Sequence, residues 1–248
     1  MVSSASTVKC RDCPLQNCSG LRQPSETQLE YIQSYKEGEL ALDKGSLVIE
    51  QGKEGAHLHT VLSGVLIRYH SLEDGRRQIV NFMFPGDLVG LQAAFDEPSA
   101  HSVEALLDSV LCVFSRRDFT SLVKEHPRLG YDLTWLAAKE EVALESHIVS
   151  LGQRSAKERL THLAVWLVDR AIETCVAGKG NSLELPITQA QIADMLGLSL
   201  VHTNRTLKAL AKDGIVEWKP GLIRIPDMDA ACEYAQYERG GDNNRPFI

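Results

Sequence analysis

The stretch TQAQIADMLGLSLVHTNRTLKALAK, Thr188 to Lys212, decides the fold. Thr188 reads as the N-cap of a short helix, with Gln191 three residues on to complete a capping box. Ile192, Met195 and Leu196 give that helix one apolar side. Gly197 supplies a turn, and Ser199 is the N-cap of a second helix over Leu200 to Lys212. At about 100° per residue, Thr203, Thr206, Leu207 and Leu210 fall on one side of that helix and face a core. Leu200, Val201, Asn204, Arg205 and Lys208 fall on the other. Asn and Arg are residue types that read base edges, and Lys suits a phosphate. The stretch is therefore read as a helix-turn-helix whose second helix enters the major groove of double-stranded DNA. Ser199, Val201, Asn204, Arg205 and Lys208 are its DNA-facing residues.

The residues after it extend the motif. Ile215 to Trp218, a Pro220-Gly221 turn and Leu222 to Ile225 form a β-hairpin. A hairpin directly behind a recognition helix is a wing, and Lys219 near its tip is placed to meet phosphate. Before it, Ala156 to Ala177 reads as a core helix, with Leu160, Leu163, Ala164, Leu167 and Ala171 at helical spacing. His126-Pro127 opens a long helix running to about Gly152. Thr134, Ala137, Glu141, Leu144, Ile148 and Leu151 follow a 3-4-3-4-3 spacing, the seam of a coiled coil. The competing reading is a helix packed only on its own domain. Pairing is preferred because helix-turn-helix readers commonly match a two-fold, pseudo-palindromic site. Glu141 would repel its counterpart across such a seam.

From Leu40 to Phe114 the pattern becomes short β-rich runs: Leu47 to Glu50, Leu58 to Leu62, Val65 to His70, Gln78 to Phe84 and Val110 to Phe114. Glycines punctuate them about every ten residues, which suggests a small antiparallel roll or barrel. Ser25 to about Lys36 is weakly helical, and Arg117 to Lys124 is a short helix. The expected fold class is α+β: an N-terminal antiparallel β-roll, a long dimerisation helix and a C-terminal winged helix-turn-helix. The expected units are a cysteine-containing segment (1–24), the roll (25–125), the dimerisation helix (126–153), the winged helix (154–228) and a tail (229–248), with a short helix beyond Asp227 and then a GGDNNRP stretch left disordered. Residues 1–9 are expected to fray.

The chain has 248 residues and a net charge of −7, which argues against a protein that coats nucleic acid nonspecifically but not against a local reader. No apolar run reaches membrane-spanning length and the first residues are not signal-like, so a cytoplasmic protein with no membrane partner is expected. No Ser-His-Asp, phosphate-loop or paired-carboxylate constellation points to an enzyme. Of six cysteines, Cys10, Cys13 and Cys18 lie within nine residues. In a cytosolic chain that density suggests metal or redox chemistry more than a disulfide framework. Cys175 and Cys232 have no cysteine neighbours and read as space-filling. His57, His59, His101, His126, His147 and His162 are scattered without a ligand motif.

The order of parts, with PGDLVG (Pro85 to Gly90) in the roll and AKERL (Ala156 to Leu160) opening the DNA-binding part, resembles the Crp/Fnr family of transcription regulators. The resemblance covers nearly the whole chain. It implies a homodimer on promoter DNA, contact with RNA polymerase (Glu73-Asp74 being a guess for the site), and a signal sensed by the roll. The cyclic-nucleotide branch has a Gly-Glu pair and an Arg-Ser pair at positions where this chain reads Leu91-Gln92 and PSAHSVEA (Pro98 to Ala105). With no arginine there a bound phosphate lacks its charge partner, so cyclic AMP is not expected. Cys10, Cys13, Cys18 and Cys112 instead look like the ligand set of the oxygen-responsive, iron–sulfur branch. The Cys13–Cys18 interval is one residue shorter than in that pattern.

Four thiolates are the usual holder of a [4Fe–4S] cluster, and of structural zinc. The resemblance implies that a cluster, intact without oxygen and lost to oxygen or nitric oxide, offsets the repulsion at Glu141 and so permits pairing. Alternatives are a regulator with no metal, constitutive or thiol-controlled, and a redox or metal protein whose helix-turn-helix is only structural. Val201, Asn204 and Arg205 also depart from the branch's usual recognition helix. Arg205 suits guanine, Asn204 adenine and Val201 a thymine methyl, so a different half-site is expected.

Overall fold

The computed structural model describes residues 7–92, 97–177, 180–240 and 245–248. Residues 1–6 of the expected frayed start, Gly178-Lys179 of the loop before the helix-turn-helix, and residues 241–244 of the tail lie outside the described residues.

Two short 3₁₀ turns, Cys10–Asp12 and Pro14–Asn17, precede helix α1 (Glu26–Tyr35). Ser25 and Gln28 form a capping box at its start. Among the described residues eight strands follow: β1 (Lys36–Leu42), β2 (Leu47–Ile49), β3 (His57–Ser63), β4 (Leu66–Ser71), β5 (Arg77–Met83), β6 (Leu88–Val89), β7 (Ser102–Ala105) and β8 (Ser109–Ser115). They make two antiparallel sheets, β1-β8-β3-β6 and β2-β7-β4-β5. Val61, Leu66, Met83, Val89, Val103, Ala105 and Leu111 pack between them. This is the expected roll, with β1, β6 and β7 added to the runs read from sequence.

A 3₁₀ turn and α2 (Phe119–Glu125) lead to α3 (Pro127–Gln153). Leu129 and Leu133 anchor the start of α3 on its own roll, and Leu136 is buried one turn further on. Tyr131, Val142 and Val149 lie on the opposite face, and Ile148 lies about a quarter-turn round the helix with Thr134, Ala137 and Glu141; the four apolar residues are all more than half exposed. Isolated exposed apolar residues are ordinary, but several along the outward half of one helix leave that surface of α3 open.

The C-terminal part comprises α4 (Ala156–Glu173), β9 (Ser182–Glu184), α5 (Gln189–Leu196), α6 (Leu200–Lys212), β10 (Glu217–Lys219), β11 (Leu222–Arg224) and α7 (Met228–Ala235). Ser155 and Glu158 box the start of α4 as Thr188 and Gln191 box that of α5. β9 joins the hairpin as a third strand in the order β10-β11-β9. Sequence reading missed β9 because three residues carry no period.

This part docks on the roll of its own chain. One continuous core joins Val65, Ile67, Ile79, Phe82 and Phe84 to α4 and α5. Arg77 Nε pairs with Asp194 Oδ2 at 2.7 Å, and Gln78 Nε2 donates to the Met195 carbonyl at 2.8 Å.

The short helix expected beyond Asp227 is α7, with Ala231 buried in the DNA-binding core and Ala235 buried as well. The rest of the tail departs from expectation. Its last part returns to the roll: Arg245 bridges Leu21 in parallel, and Phe247 and Ile248 are buried. GGDNNRP is polar, so composition alone points to disorder; the two apolar residues behind it find a pocket only tertiary structure creates.

Candidate DNA-reading face and cysteine pocket

Gly197 ends α5 in the left-handed region at φ 62°, which brings α6 across α5. Ser199 caps α6 by accepting from the His202 N–H at 3.2 Å. Its hydroxyl is therefore already engaged in the fold. Thr203, Thr206, Leu207 and Leu210 are buried as expected. Val201 is 61% exposed, and Arg205 and Lys208 are also exposed. Asn204 is half-buried, because its Nδ2 donates to Gln189 Oε1 at 3.0 Å. Gln189 was not singled out from sequence. Only the crossing of α5 and α6 reveals that it holds the Asn204 side chain. Lys219 is exposed at the β10–β11 turn. The structure thus brings Val201, Arg205 and Lys208 to one free helix face, with Asn204 at its edge.

The seam residues divide. Thr134, Ala137, Glu141 and Ile148 are exposed, whereas Leu144 and Leu151 are half-buried. Leu144 lines a cavity of about 90 Å³ between β5, α3, α4 and α5, so it also serves its own chain. Glu73 and Asp74 sit on the exposed β4–β5 turn, where Asp74 pairs with Arg76 at 2.8 Å.

Cys10 and Cys13 come from the first turns, and Cys112 from β8, where it is in register with Glu39 of β1 and Thr60 of β3. All three thiols line one cavity of about 20 Å³ with Lys36, Thr60, Phe247 and Ile248. Lys36 Nζ donates to Glu39 Oε1 at 2.7 Å and to the Val8 carbonyl at 2.8 Å. Thr60 donates its hydroxyl to the Ile248 carbonyl. Burial pushes the Cys112 thiol up to about 12 and raises Cys10 and Cys13 as well, against the opposing charge of Lys36. These thiols are protonated at neutral pH, so binding a metal would release protons.

Cys18 stands apart. It is buried, and its sulfur is bonded to that of Cys175, just beyond α4. Cys18 is thus not grouped with the other three thiols in this arrangement, and the space-filling reading of Cys175 is corrected, since it is the partner of Cys18. Cys232 does pack half-buried against the DNA-binding core. Among the described residues, no three His, Cys, Asp or Glu side chains are arranged to hold a metal ion as they stand. The donor chemistry of Cys10, Cys13 and Cys112 fits a thiolate-bound centre. Cys18 fits as a fourth donor only with its bond to Cys175 open.

A roll carrying a thiol pocket, joined by one long helix to a winged helix with a free exposed helix face, has the two-part layout of a DNA-binding regulator. Comparisons agree with that class. Residues 39–126 match the cyclic nucleotide-binding domain, and residues 158–233 match the Crp-like helix-turn-helix domain. A Rhizobium leguminosarum bv. viciae protein described as a "probable transcriptional activator" is 32% identical over 189 residues, covering 76% of this chain and 77% of that one. The transcriptional activator protein FnrL of Cereibacter sphaeroides is 28% identical, with 84% of each chain covered. The structure of FixK2 from Bradyrhizobium japonicum superposes with a TM-score of 0.70 at 24% identity, covering 82% of this chain and 98% of that one; this likeness speaks to the fold alone. The chain belongs to the Crp/Fnr family of transcription regulators, which bind DNA through the helix-turn-helix and act as dimers. No helix among the described residues is long and apolar enough to cross a membrane.

Proposed function

We propose that this regulator senses oxygen, or nitric oxide, through a [4Fe–4S] cluster held by Cys10, Cys13, Cys112 and Cys18, and that the state of this pocket governs promoter binding. The observation that carries the reading is the convergence of Cys10, Cys13 and Cys112, a hundred residues apart in the chain, on one buried cavity. When bound, the cluster would supply a gas-labile inorganic centre held by thiolates. The chain's own residues do the rest. Cys10 and Cys13 anchor the N-terminal turns, Cys112 anchors β8, and Lys36 offsets the negative charge that thiolates bring. Cyclic AMP is not part of the reading, since Pro98 to Ala105 offers no arginine to a phosphate.

In this reading, two chains pair through the exposed stripe of α3, around Thr134, Ala137, Glu141 and Ile148 with Leu144 and Leu151 at its border. Paired chains set two α6 helices about one DNA turn apart on a pseudo-palindromic promoter. Arg205, Asn204 and Val201 read bases; Lys208, Lys219 and the start of α6 at Ser199 lie along the backbone. RNA polymerase is the expected further partner, with Glu73-Asp74 as a candidate contact.

Purification without air, followed by iron and sulfide analysis, tests the cofactor. A brown protein with about four of each per chain is expected, and serine at Cys112 should abolish the colour. A colourless, iron-free protein removes the cluster. A second reading, control by thiol oxidation without metal, is favoured by one observation: the bond between Cys18 and Cys175.

A further inference from the structure

Residues 18–22 are where four parts of the chain meet. Cys18 is bonded to Cys175, 157 residues away, with their Cα atoms 5.4 Å apart. The Gly20 N–H donates to the Glu173 carbonyl at 3.0 Å, and the Arg22 N–H donates to the Arg245 carbonyl at 2.8 Å. A Cβ on Gly20 would lie 2.3 Å from that of Glu173, so only glycine permits this approach. Arg170 and Arg245 both reach Asp87 of the PGDLVG turn, at 2.6 and 2.9 Å. The N-terminal segment, the end of α4, the tail and the roll are thus fastened at one junction.

Two features single out Cys175 within it. Its φ of 61° lies in the left-handed region that favours glycine. A side chain with a Cβ is disfavoured there, and this one delivers a sulfur to Cys18. Cys175 is also exposed, whereas Cys18 is buried. One member of the pair is reachable by a dissolved oxidant, and the other is held ready beneath it.

We propose that Cys18 and Cys175 form a reversible redox site, a modification site for peroxide-class oxidants, whose oxidised form holds the winged helix on its own roll. The Cys175 sulfur attacks a hydroperoxide: an S–O bond forms, the O–O bond breaks and one water leaves. The Cys18 sulfur then displaces the hydroxyl, which leaves with the Cys18 proton as a second water, and the S–S bond forms. Two thiols and one hydrogen peroxide give one disulfide and two waters. A dithiol reductant returns two electrons and two protons by exchange.

The oxidised bond reinforces the docking that Arg77–Asp194 and Gln78–Met195 already provide. It restrains the pivot at Arg154–Ser155, the extended break between α3 and α4. Placing two α6 helices on one promoter draws on that pivot, so oxidation weakens DNA binding. The site deepens the sensing proposal, and rests on it only in that one Cys18 sulfur cannot serve both a cluster and Cys175.

The test uses the full chain, free of metal and treated with hydrogen peroxide, followed by non-reducing peptide mapping and promoter-duplex titration. Wild type should yield the Cys18–Cys175 peptide and, relative to the same metal-free protein kept reduced, lose about a further tenfold in affinity, a typical size for coupling between sites, with recovery in dithiothreitol. Cys175→Ser should give neither change. Cys175→Gly, suited to the left-handed backbone, replaces it should the serine variant fail to fold. The proposal is overturned if the peptide is absent, if it forms while affinity stays put, or if the loss persists in the Cys175 variants. Iron content of air-free Cys175→Ser reports on the cluster separately. Full iron with no redox response leaves the cluster reading standing, and a redox response in an iron-free protein leaves the redox site standing.

Discussion

The winged helix and the N-terminal junction are held together by different physics. The winged helix is a contiguous apolar core, with Leu160, Leu167, Ile192, Leu210 and Ile223 almost wholly enclosed and each major helix capped by its own first turn. The junction between Cys18 and Arg22 is held by one covalent bond, backbone hydrogen bonds to distant segments and a buried carboxylate shared by two arginines. An apolar core loses stability in proportion to what is removed, whereas an ionic and covalent junction is opened by a single chemical event. The proposed redox site lies in the second kind of region, and the DNA-binding face in the first.

The strongest way to break that comparison is at Asp87. Burial alone would raise its pKa, but Arg170 and Arg245 outweigh that and hold it below the usual carboxylate value. Replacing Asp87 by Ala leaves two buried guanidinium groups without their shared partner. A loss of about 3–5 kcal/mol is expected in urea unfolding, the range for breaking a buried pair. A loss under 1 kcal/mol would mean the junction is not held by charge. Because its folded pKa is depressed, the stability Asp87 contributes is present at neutral pH and goes as pH falls below about 4, its unfolded value.

Acid also acts earlier, through histidines. Burial lowers His59, His101 and His162 to about 4, so the unfolded chain binds protons first. Stability should therefore fall as pH drops from about 6.5 to about 4. Thermal melts across that window check it, and His59→Gln should flatten part of the slope.

Phe247→Ala sharpens the comparison at the tail. It should cost about 3 kcal/mol, the low end for a buried phenylalanine, because the tail can lift away. It should also speed alkylation of Cys112, which shares the cavity with Phe247. An unchanged alkylation rate would separate the tail from the thiol pocket. On the reader, Arg205→Ala should leave stability alone and cost about 1–3 kcal/mol at a single base pair. Selection of half-sites with the parent and variant proteins locates that base. Glu141→Ala is the smallest effect. Removing one like-charge pair across the α3 stripe should strengthen dimerisation by about 0.2–0.5 kcal/mol, read by sedimentation.

The same contrast explains what could be read from sequence. Thr188 with Gln191, and Ser199 before Leu200, mark helix starts with partners three residues away, so the reader was legible residue by residue. Leu58 to Leu62 and Gln78 to Phe84 were legible as strands because their apolar content is dense. β1 was not, since KEGELAL is polar along an edge strand, and β6 has only two residues. At the site, Cys10, Cys13 and Cys112 could be named from spacing and resemblance, yet the pairing of Cys18 with Cys175 could not. Nothing local to Cys175 points to a partner 157 residues away, and a left-handed backbone at a cysteine leaves no trace in composition. Gln189 behind Asn204 and Asp87 between two arginines were hidden for the same reason: each acts across the fold.

The central claim is that the thiol pocket at the amino end governs whether two chains grip a promoter together. Its most direct test is a promoter-duplex titration of one air-free preparation before and after exposure to oxygen, with iron measured on the same samples. The account predicts an iron-loaded protein that binds tightly and loses affinity in step with its iron. An iron-free protein that binds its promoter equally well with and without air would contradict it.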